Sequence, residues 1–401
     1  KKRSVIFWRT LISSPNKSGR LKRSPFHGTM ITEGDGMKFK CECTVLQKAI
    51  QVVQRAAAVK TTLSVLECVK IEAKEDCVIL EANNLEMAIE YRLPAEIEET
   101  GLVLVNVKIF SEIIRKLSMG TVSIRSKNNT VEISCQNSLF NIKGLLSDAF
   151  PEIPKVEESE CFEIEQDKLG KLIKSTIFSV SQETTRTILT GLYMEVKNGY
   201  VTTVGIDSYR MAVRKEVVDE KYKEFSAVVP GKTMTELSRI LENADEKVKI
   251  YIGRKQVQFL FKNFKLVSRL LEGEFLDYRG IIPREFGTTI KLNKTNFQDS
   301  IERTLIVIPS EEKKYPIDIS TEDSTLNIAI STHLGDVHET LPVDVIGENI
   351  DIAFNPVFFA DCLRVMEDEE ILFKCNTEVG PCILSPVEGD DYIYLIGAVR
   401  K

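Results

Sequence analysis

One pattern recurs three times along this 401-residue chain, and self-similarity at a fixed period constrains a fold more tightly than composition does. The segment Val105-Asn106-Val107-Lys108-Ile109-Phe110-Ser111-Glu112-Ile113-Ile114-Arg115-Lys116-Leu117 returns as Val229 through Leu241 and again as Phe354 through Met366, at intervals of about 125 residues. Its columns agree in chemistry: apolar at Phe110, Met234 and Phe359, acidic at Glu112, Glu236 and Asp361, basic at Arg115, Arg239 and Arg364, and apolar again at Leu117, Leu241 and Met366. A second motif precedes each copy. Phe39, Leu46 and Ile50 match Phe162, Leu169 and Ile173, then Ile290, Phe297 and Ile301. A third, Leu145-Leu146 with Phe150, returns once as Leu270-Leu271 with Phe275.

Three repeats imply three similar domains, each with its own core. Both recurring motifs carry apolar residues at helical spacing, whereas the text between them alternates apolar and polar residues: Val122-Ser123-Ile124, Val131-Glu132-Ile133, Val248-Lys249-Ile250, Val257-Gln258-Phe259 and Leu326-Asn327-Ile328. Such alternation is the period of a strand with one buried face. Turn residues such as Lys127-Asn128-Asn129 and Lys197-Asn198-Gly199 separate the runs. The fold class is α+β, each repeat an antiparallel sheet carrying two helices. The expected divisions are 37–157, 158–284 and 285–401, behind a basic extension at 1–36 that holds eight Lys or Arg against two acids and no periodicity. That extension reads as an upstream addition ahead of Met30 or Met37 and is left out of the fold.

Charge is distributed unevenly. The net charge is −6, which by itself argues against a nucleic-acid partner. Yet the six helix-like windows 44–56, 108–117, 168–180, 232–241, 294–305 and 357–366 together carry thirteen Lys or Arg and only five Asp or Glu. With those windows and the extension removed, the remainder stands at −20. Five of the six windows set their cations opposite the apolar face, as Lys48 and Arg55 stand opposite Leu46, Ile50 and Val53. A basic surface repeated around an otherwise acidic body attracts phosphates on one side and repels them on the other. No zinc finger, helix-turn-helix or RNP pattern accompanies it, so any DNA contact is expected to be to the backbone and indifferent to sequence.

Motifs for chemistry are missing. His27, His333 and His338 are the three histidines, and His333 with His338 read as loop residues, not metal ligands. No nucleophile elbow, Walker loop or dinucleotide fingerprint occurs, and Pro230-Gly231-Lys232-Thr233 reads as a helix start because its homologous columns are helix starts. Glu367-Asp368-Glu369-Glu370 reads as a solvated acidic turn. The nine cysteines lack a C-x-x-C pair and read as single reduced thiols of a cytoplasmic protein. No apolar run reaches the length of a membrane span, about eighteen residues. The expectation is a protein that is not an enzyme, with no cofactor, no metal and no membrane.

From Met37 onward the chain resembles the bacterial sliding clamps, the β subunits of DNA polymerase III. The resemblance is most specific at Gly205-Ile206-Asp207-Ser208-Tyr209-Arg210-Met211-Ala212, similar to the family's "TDSHRLA" run. Leu271 through Arg279 with Ile282-Pro283 is similar to "GxFPDYRRVIP", and Asp148-Ala149-Phe150-Pro151-Glu152-Ile153-Pro154 also matches. It implies a closed ring formed by a homodimer, six like domains around a hole lined by helices, with double-stranded DNA held by topology. It implies further partners: the polymerase III catalytic subunit, the clamp loader, and other polymerases and repair proteins that dock short hydrophobic peptides. The residues placed toward phosphate are Lys48, Arg55, Lys60, Lys108, Arg115, Lys171, Lys174, Lys232, Arg239 and Arg303, with Lys60 where the family usually has a DNA-contacting Arg. The positions matching the family's peptide pocket are Leu189, Ile206, Ser208, Tyr209, Arg210, Met211, Leu276, Ile281, Leu395, Ile396, Val399 and Arg400. Ile306 and Val307 match its dimer contact.

Two departures from the family accompany the match. Gly397-Ala398 precede Val399-Arg400 where the family has an apolar residue and Pro, which is expected to loosen one wall of the pocket, and Leu276 stands where the family usually has Pro. A scaffold of three repeats binding acidic partners without encircling DNA is the alternative reading of the same basic helices.

Overall fold

A computed structural model of the chain describes residues 36–145, 150–156, 160–242, 244–309, 315–376 and 380–399; the basic extension, Asp148-Ala149 and Arg400 lie outside them. The first two recurring motifs form helices: α1 (Cys43–Val53), α2 (Val107–Lys116), α3 (Gln166–Lys174), α4 (Gly231–Ser238), α5 (Lys294–Ile306) and α6 (Pro356–Leu363). They pack in pairs, α1 on α2, α3 on α4 and α5 on α6. The anchor columns are core: Phe39, Leu46, Phe110, Phe162, Leu169, Met234, Ile290, Phe297 and Phe359 have no exposed surface.

Antiparallel strands supply the rest. The alternating runs fall in strands Thr121–Lys127, Thr130–Cys135, Lys247–Ile252, Gln256–Phe261 and Thr325–Thr332. The Asn turns between them take the left-handed backbone that Asn and Gly tolerate, with φ of 51° at Asn128, 59° at Asn129, 51° at Asn198 and 75° at Gly199. Gly205 is needed for another reason: a Cβ there would meet the Thr176 carbonyl oxygen at 2.1 Å, so only glycine lets this strand pass under the end of α3.

The repeats are joined by strand pairing. Met87–Leu93 of the first repeat pairs with Phe264–Arg269 of the second, Tyr91 opposite Phe264 and Ile89 opposite Leu266. Arg210–Val217 of the second pairs with Tyr392–Ile396 of the third, Met211 opposite Leu395 and Ala212 opposite Tyr394. One apolar cluster runs through the first two repeats, another fills the third, and a small one sits across the second junction. The two ends of the chain's body leave edges. Gly335–Pro342 pairs on one side with Thr325–Thr332, and Ser138–Leu145 pairs along its length with Thr130–Cys135, touching Gly101–Asn106 only at Gly144 and Leu145.

Three expectations change. None of the nine cysteines is in a disulfide, but Cys161 is exposed, Cys77 is half-buried, and Cys375 and Cys382 lie on paired adjacent strands. His333 lies in a turn, whereas His338 belongs to the edge strand Gly335–Pro342. The acidic turn is not merely solvated, because Glu367 pairs with Lys171 and Glu370 with Lys291. Among the described residues no helix is long and apolar enough to cross a membrane, and no group of three His, Cys, Asp or Glu could hold a metal ion.

Candidate functional site

Helix phase is set where strand turns into helix. The side chains of Asn106, Asn293 and Asn355 accept from the backbone N–H of Ile109 (3.2 Å), Asn296 (3.0 Å) and Val357 (3.0 Å), satisfying donors that the first turn leaves without a partner. With Phe110 and Ile114, Met234 and Leu237, and Phe359 and Leu363 buried, Lys108, Arg115, Lys232, Arg239 and Arg364 are turned to the exposed side.

The ten cations placed toward phosphate fall into three groups. Lys60, Lys108, Lys174 and Lys232 are exposed and make no ion pair among the described residues. Arg115 pairs with Glu112 one turn away, Arg239 with Glu236 at 2.8 Å and Arg303 with Glu339 at 2.6 Å. In each of these pairs the cation keeps about half or more of its side-chain surface exposed, so it can exchange its carboxylate for a phosphate, and salt screens the pair. Lys48, Arg55 and Lys171 instead reach into the next repeat, to Glu242 at 2.5 Å, Glu236 at 2.7 Å and Glu367 at 3.3 Å. Arg55 and Glu236 keep only 24% and 16% of their side-chain surface exposed, which commits Arg55 to the junction. Lys48, and after it Lys262, holds the Glu242 carboxyl below the usual carboxylate range.

The apolar cluster at the second junction gathers much of the expected peptide pocket. Leu189, Ile206, Met211 and Leu395 are buried together there, and Leu276 packs against them. Ile281 stays 39% exposed nearby, and Ser208 and Tyr209 are exposed at the tip of the hairpin between Ile206 and Met211. Ile396 does not join them. Alternate residues of a strand face opposite sides, so with Leu395 toward the cluster Ile396 enters the third-repeat core, fully buried. Val399 is fixed by its N–H, which donates to the Ala353 carbonyl at 2.8 Å, and the Gly397 N–H donates to Tyr209 at 2.8 Å. The tail is therefore pinned by its backbone although it lacks the family's side chains; a Cβ on Gly397 would stand 3.1 Å from the Tyr209 carbonyl oxygen.

Arg210 is held on every side. Its Nε donates to Asp207 at 3.0 Å, and its two terminal nitrogens donate to Asp361 at 2.7 Å and the Phe178 carbonyl at 2.7 Å. The guanidinium also stacks over Phe358, 4.5 Å from the ring centroid. Burial works against its charge, but Tyr394, Asp361 and Asp207 outweigh burial and keep it raised above its ordinary value. Asp361 belongs to the third repeat, so the side chain is a strap across the junction. Sequence reasoning missed the floor of the cluster: Val204, Val213, Ile383 and Tyr278, whose hydroxyl burial pushes up, with Phe275 stacked 4.7 Å from Tyr193. The alternation of Val204 with Ile206 and of Met211 with Val213 was the available signal. Nothing local could have marked Ile383 or Asp361.

Three family models match in succession: DNA polymerase III beta subunit N-terminal domain over residues 37–154, central domain over 163–277 and C-terminal domain over 279–400. The chain belongs to the DNA polymerase III beta subunit family. It is 33% identical over 378 residues to a beta sliding clamp of Bacillus subtilis (strain 168), a match covering 91% of this chain and 100% of the relative. It is 31% identical over 379 residues to the beta sliding clamp of Halalkalibacterium halodurans, again 91% and 100%. The crystal structure of a DNA polymerase sliding clamp from Bacillus subtilis superposes with a TM-score of 0.87 at 32% identity, over 91% of this chain and 99% of that one.

Proposed function

We propose that this chain is a DNA sliding clamp, a ring-shaped processivity factor that acts without catalysis in the cytoplasm. Two copies meet head to tail, the free edge Gly335–Pro342 of one pairing with the free edge Ser138–Leu145 of the other. The observation that carries this reading is the pairing already made inside the chain: both junctions between repeats are antiparallel strand pairs, and the two unpaired edges stand where a third such pair would form. Closing two copies in this way gives six repeats and covers these two edges, which a soluble sheet protein otherwise has to guard. Exposed apolar side chains mark both ends, Leu139 at 60% and Phe140 at 37% on one, Ile306 at 76% and Leu334 at 59% on the other.

Duplex DNA passes through the ring, and the exposed cations of the six helices and Lys60 face its phosphates. Contact of this kind is sequence-independent and salt-dependent, which suits sliding. The cluster at the second junction, with Tyr209 and the tail beside it, takes a short hydrophobic peptide from the polymerase III catalytic subunit, from the clamp loader, or from other polymerases and repair proteins. Tethering by that peptide raises the local concentration of polymerase at the primer end.

Retention on DNA distinguishes this reading from a scaffold that binds by direct affinity. Loaded onto a nicked circle with a clamp loader and ATP, the protein is expected to stay through a salt wash and to run off once a single cut linearises the circle. Retention unchanged by the cut would assign binding to surface affinity and return the scaffold reading.

The missing side chain in the tail has a measurable cost. Replacing Gly397 by Leu and Ala398 by Pro is expected to tighten a labelled hydrophobic peptide about fivefold in fluorescence anisotropy, since partial burial of one Leu contributes roughly 1 kcal/mol. The exposed Tyr209 hairpin has to yield only slightly for the new Cβ. Unchanged affinity would mean that the tail does not form a wall of the peptide site.

A further inference from the structure

The two junctions inside the chain are crossed by an ion pair drawn from the same repeat columns. In α1 the lysine two residues beyond the buried Leu46 is Lys48, and in α3 the lysine two residues beyond Leu169 is Lys171. Their partners are equally matched: Glu242 stands one residue beyond Leu241, and Glu367 one residue beyond Met366. Lys48 Nζ lies 2.5 Å from Glu242 and Lys171 Nζ 3.3 Å from Glu367. One geometry is therefore used twice, with the first helix of one repeat reaching the segment after the second helix of the next.

The third copy of each column breaks the pattern. Two residues beyond the buried Phe297 stands Asp299, and one residue beyond Leu117 stands Ser118. Both are exposed, and Asp299 makes no ion pair among the described residues. One turn further along the same face, Glu302 occupies the column of Lys174, so α5 is acidic where α3 is basic. Nearby Ile306, 76% exposed, takes the column of Arg55, whose pairing with Glu236 crosses the first junction.

We propose that the junction between subunits lacks the crossed ion pair of the two junctions within each subunit: Asp299 faces Ser118 of the partner subunit, and a second copy of this chain docks there through strand edge and apolar contact. The inference rests on the dimer proposed above and adds the chemistry of its seam. A seam without this pair differs from the internal junctions in its salt response, because screening weakens attraction between charges and strengthens apolar association when the salt is excluded from the surface.

A double-mutant cycle on the full-length chain tests the placement. Dimer dissociation is measured by analytical ultracentrifugation for the wild type, Asp299→Lys, Ser118→Glu and the double variant, at low salt and in about 0.5 M salt. Each substitution lies on an exposed position, and each occurs at both seams of the ring. The double variant is expected to dimerise about tenfold more tightly than the two single effects combined, roughly threefold per seam, as a surface ion pair supplies, and to lose that gain in high salt. Combined effects that simply multiply would overturn the inference while leaving the dimer intact, because α5 would then not face the end of α2 as α1 faces the end of α4. A wild-type chain that stays monomeric at every concentration would overturn the dimer and the inference with it.

Discussion

Ile306→Asp is expected to leave the protein folded and monomeric, and to abolish its retention on circular DNA. Ile306 closes α5 with three-quarters of its surface exposed, so the isolated chain has little to lose by the change. In the proposed ring the same position would be covered by the partner subunit, and a carboxylate there would be desolvated against apolar groups without a counter-charge. Loss of a central interface residue costs on the order of 2 kcal/mol or more. The ring has two identical seams, so the cost is doubled, to about 4 kcal/mol, or roughly a thousandfold in the dimer dissociation constant. Sedimentation would show the shift from dimer to monomer, and unfolding by urea would show an unchanged chain. A folded Ile306→Asp chain that still dimerises at nanomolar concentration would place the subunit contact elsewhere.

The second large effect is expected at Arg210. Truncation to Ala removes three hydrogen bonds and a ring contact at once and leaves Asp361 and Asp207 facing each other in a site where Arg210 itself is only 12% exposed. Breaking a buried pair by deleting one partner costs about 3–5 kcal/mol, and the partial exposure of Asp361 puts Arg210→Ala toward the lower end. Arg210→Lys restores the charge but not the planar fork that reaches three acceptors, so it should recover only part of the loss. The readout is urea unfolding together with peptide anisotropy. If Arg210 chiefly straps the second and third repeats together, both stability and peptide affinity fall in Arg210→Ala. If it chiefly meets the peptide, affinity falls while stability holds.

Much of the fold was legible because it is written three times. A single apolar stripe such as Leu46, Ile50 and Val53 fits many folds, but the same stripe at matched columns, with Phe110, Met234 and Phe359 answering one another, could only be three copies of one unit. Alternation marked strands such as Val131-Glu132-Ile133 and Gln256–Phe261 for an equally local reason: a side chain's face in a strand follows from its position alone. Of the positions matched to the family's pocket, Leu189, Ile206, Met211 and Leu395 share one apolar cluster, and others depart from it where local rules do not reach. Ile396 matches the family's pocket together with Leu395, but successive residues of a strand face opposite sides, and Ile396 enters the third-repeat core. Arg210 matches the same pocket, and its partners Asp361 and Phe358 lie about 150 residues away, where no local pattern points to them.

The same division runs through the cations. Helical periodicity alone sets lysines and arginines on the polar faces of the repeated helices, because it sorts apolar from charged residues within a few turns. Which of them are spent on the protein itself was decided only by the tertiary structure. Lys48, Arg55 and Lys171 look no different in the text from Lys108 or Lys232, but the docking of one repeat on the next brings Glu242, Glu236 and Glu367 to them. Periodicity is a property of neighbours along the chain, whereas an ion pair depends on where two distant helices end in space, and that is fixed by the strand pairing at Met87–Leu93 and Arg210–Val217 that sets each repeat against the next.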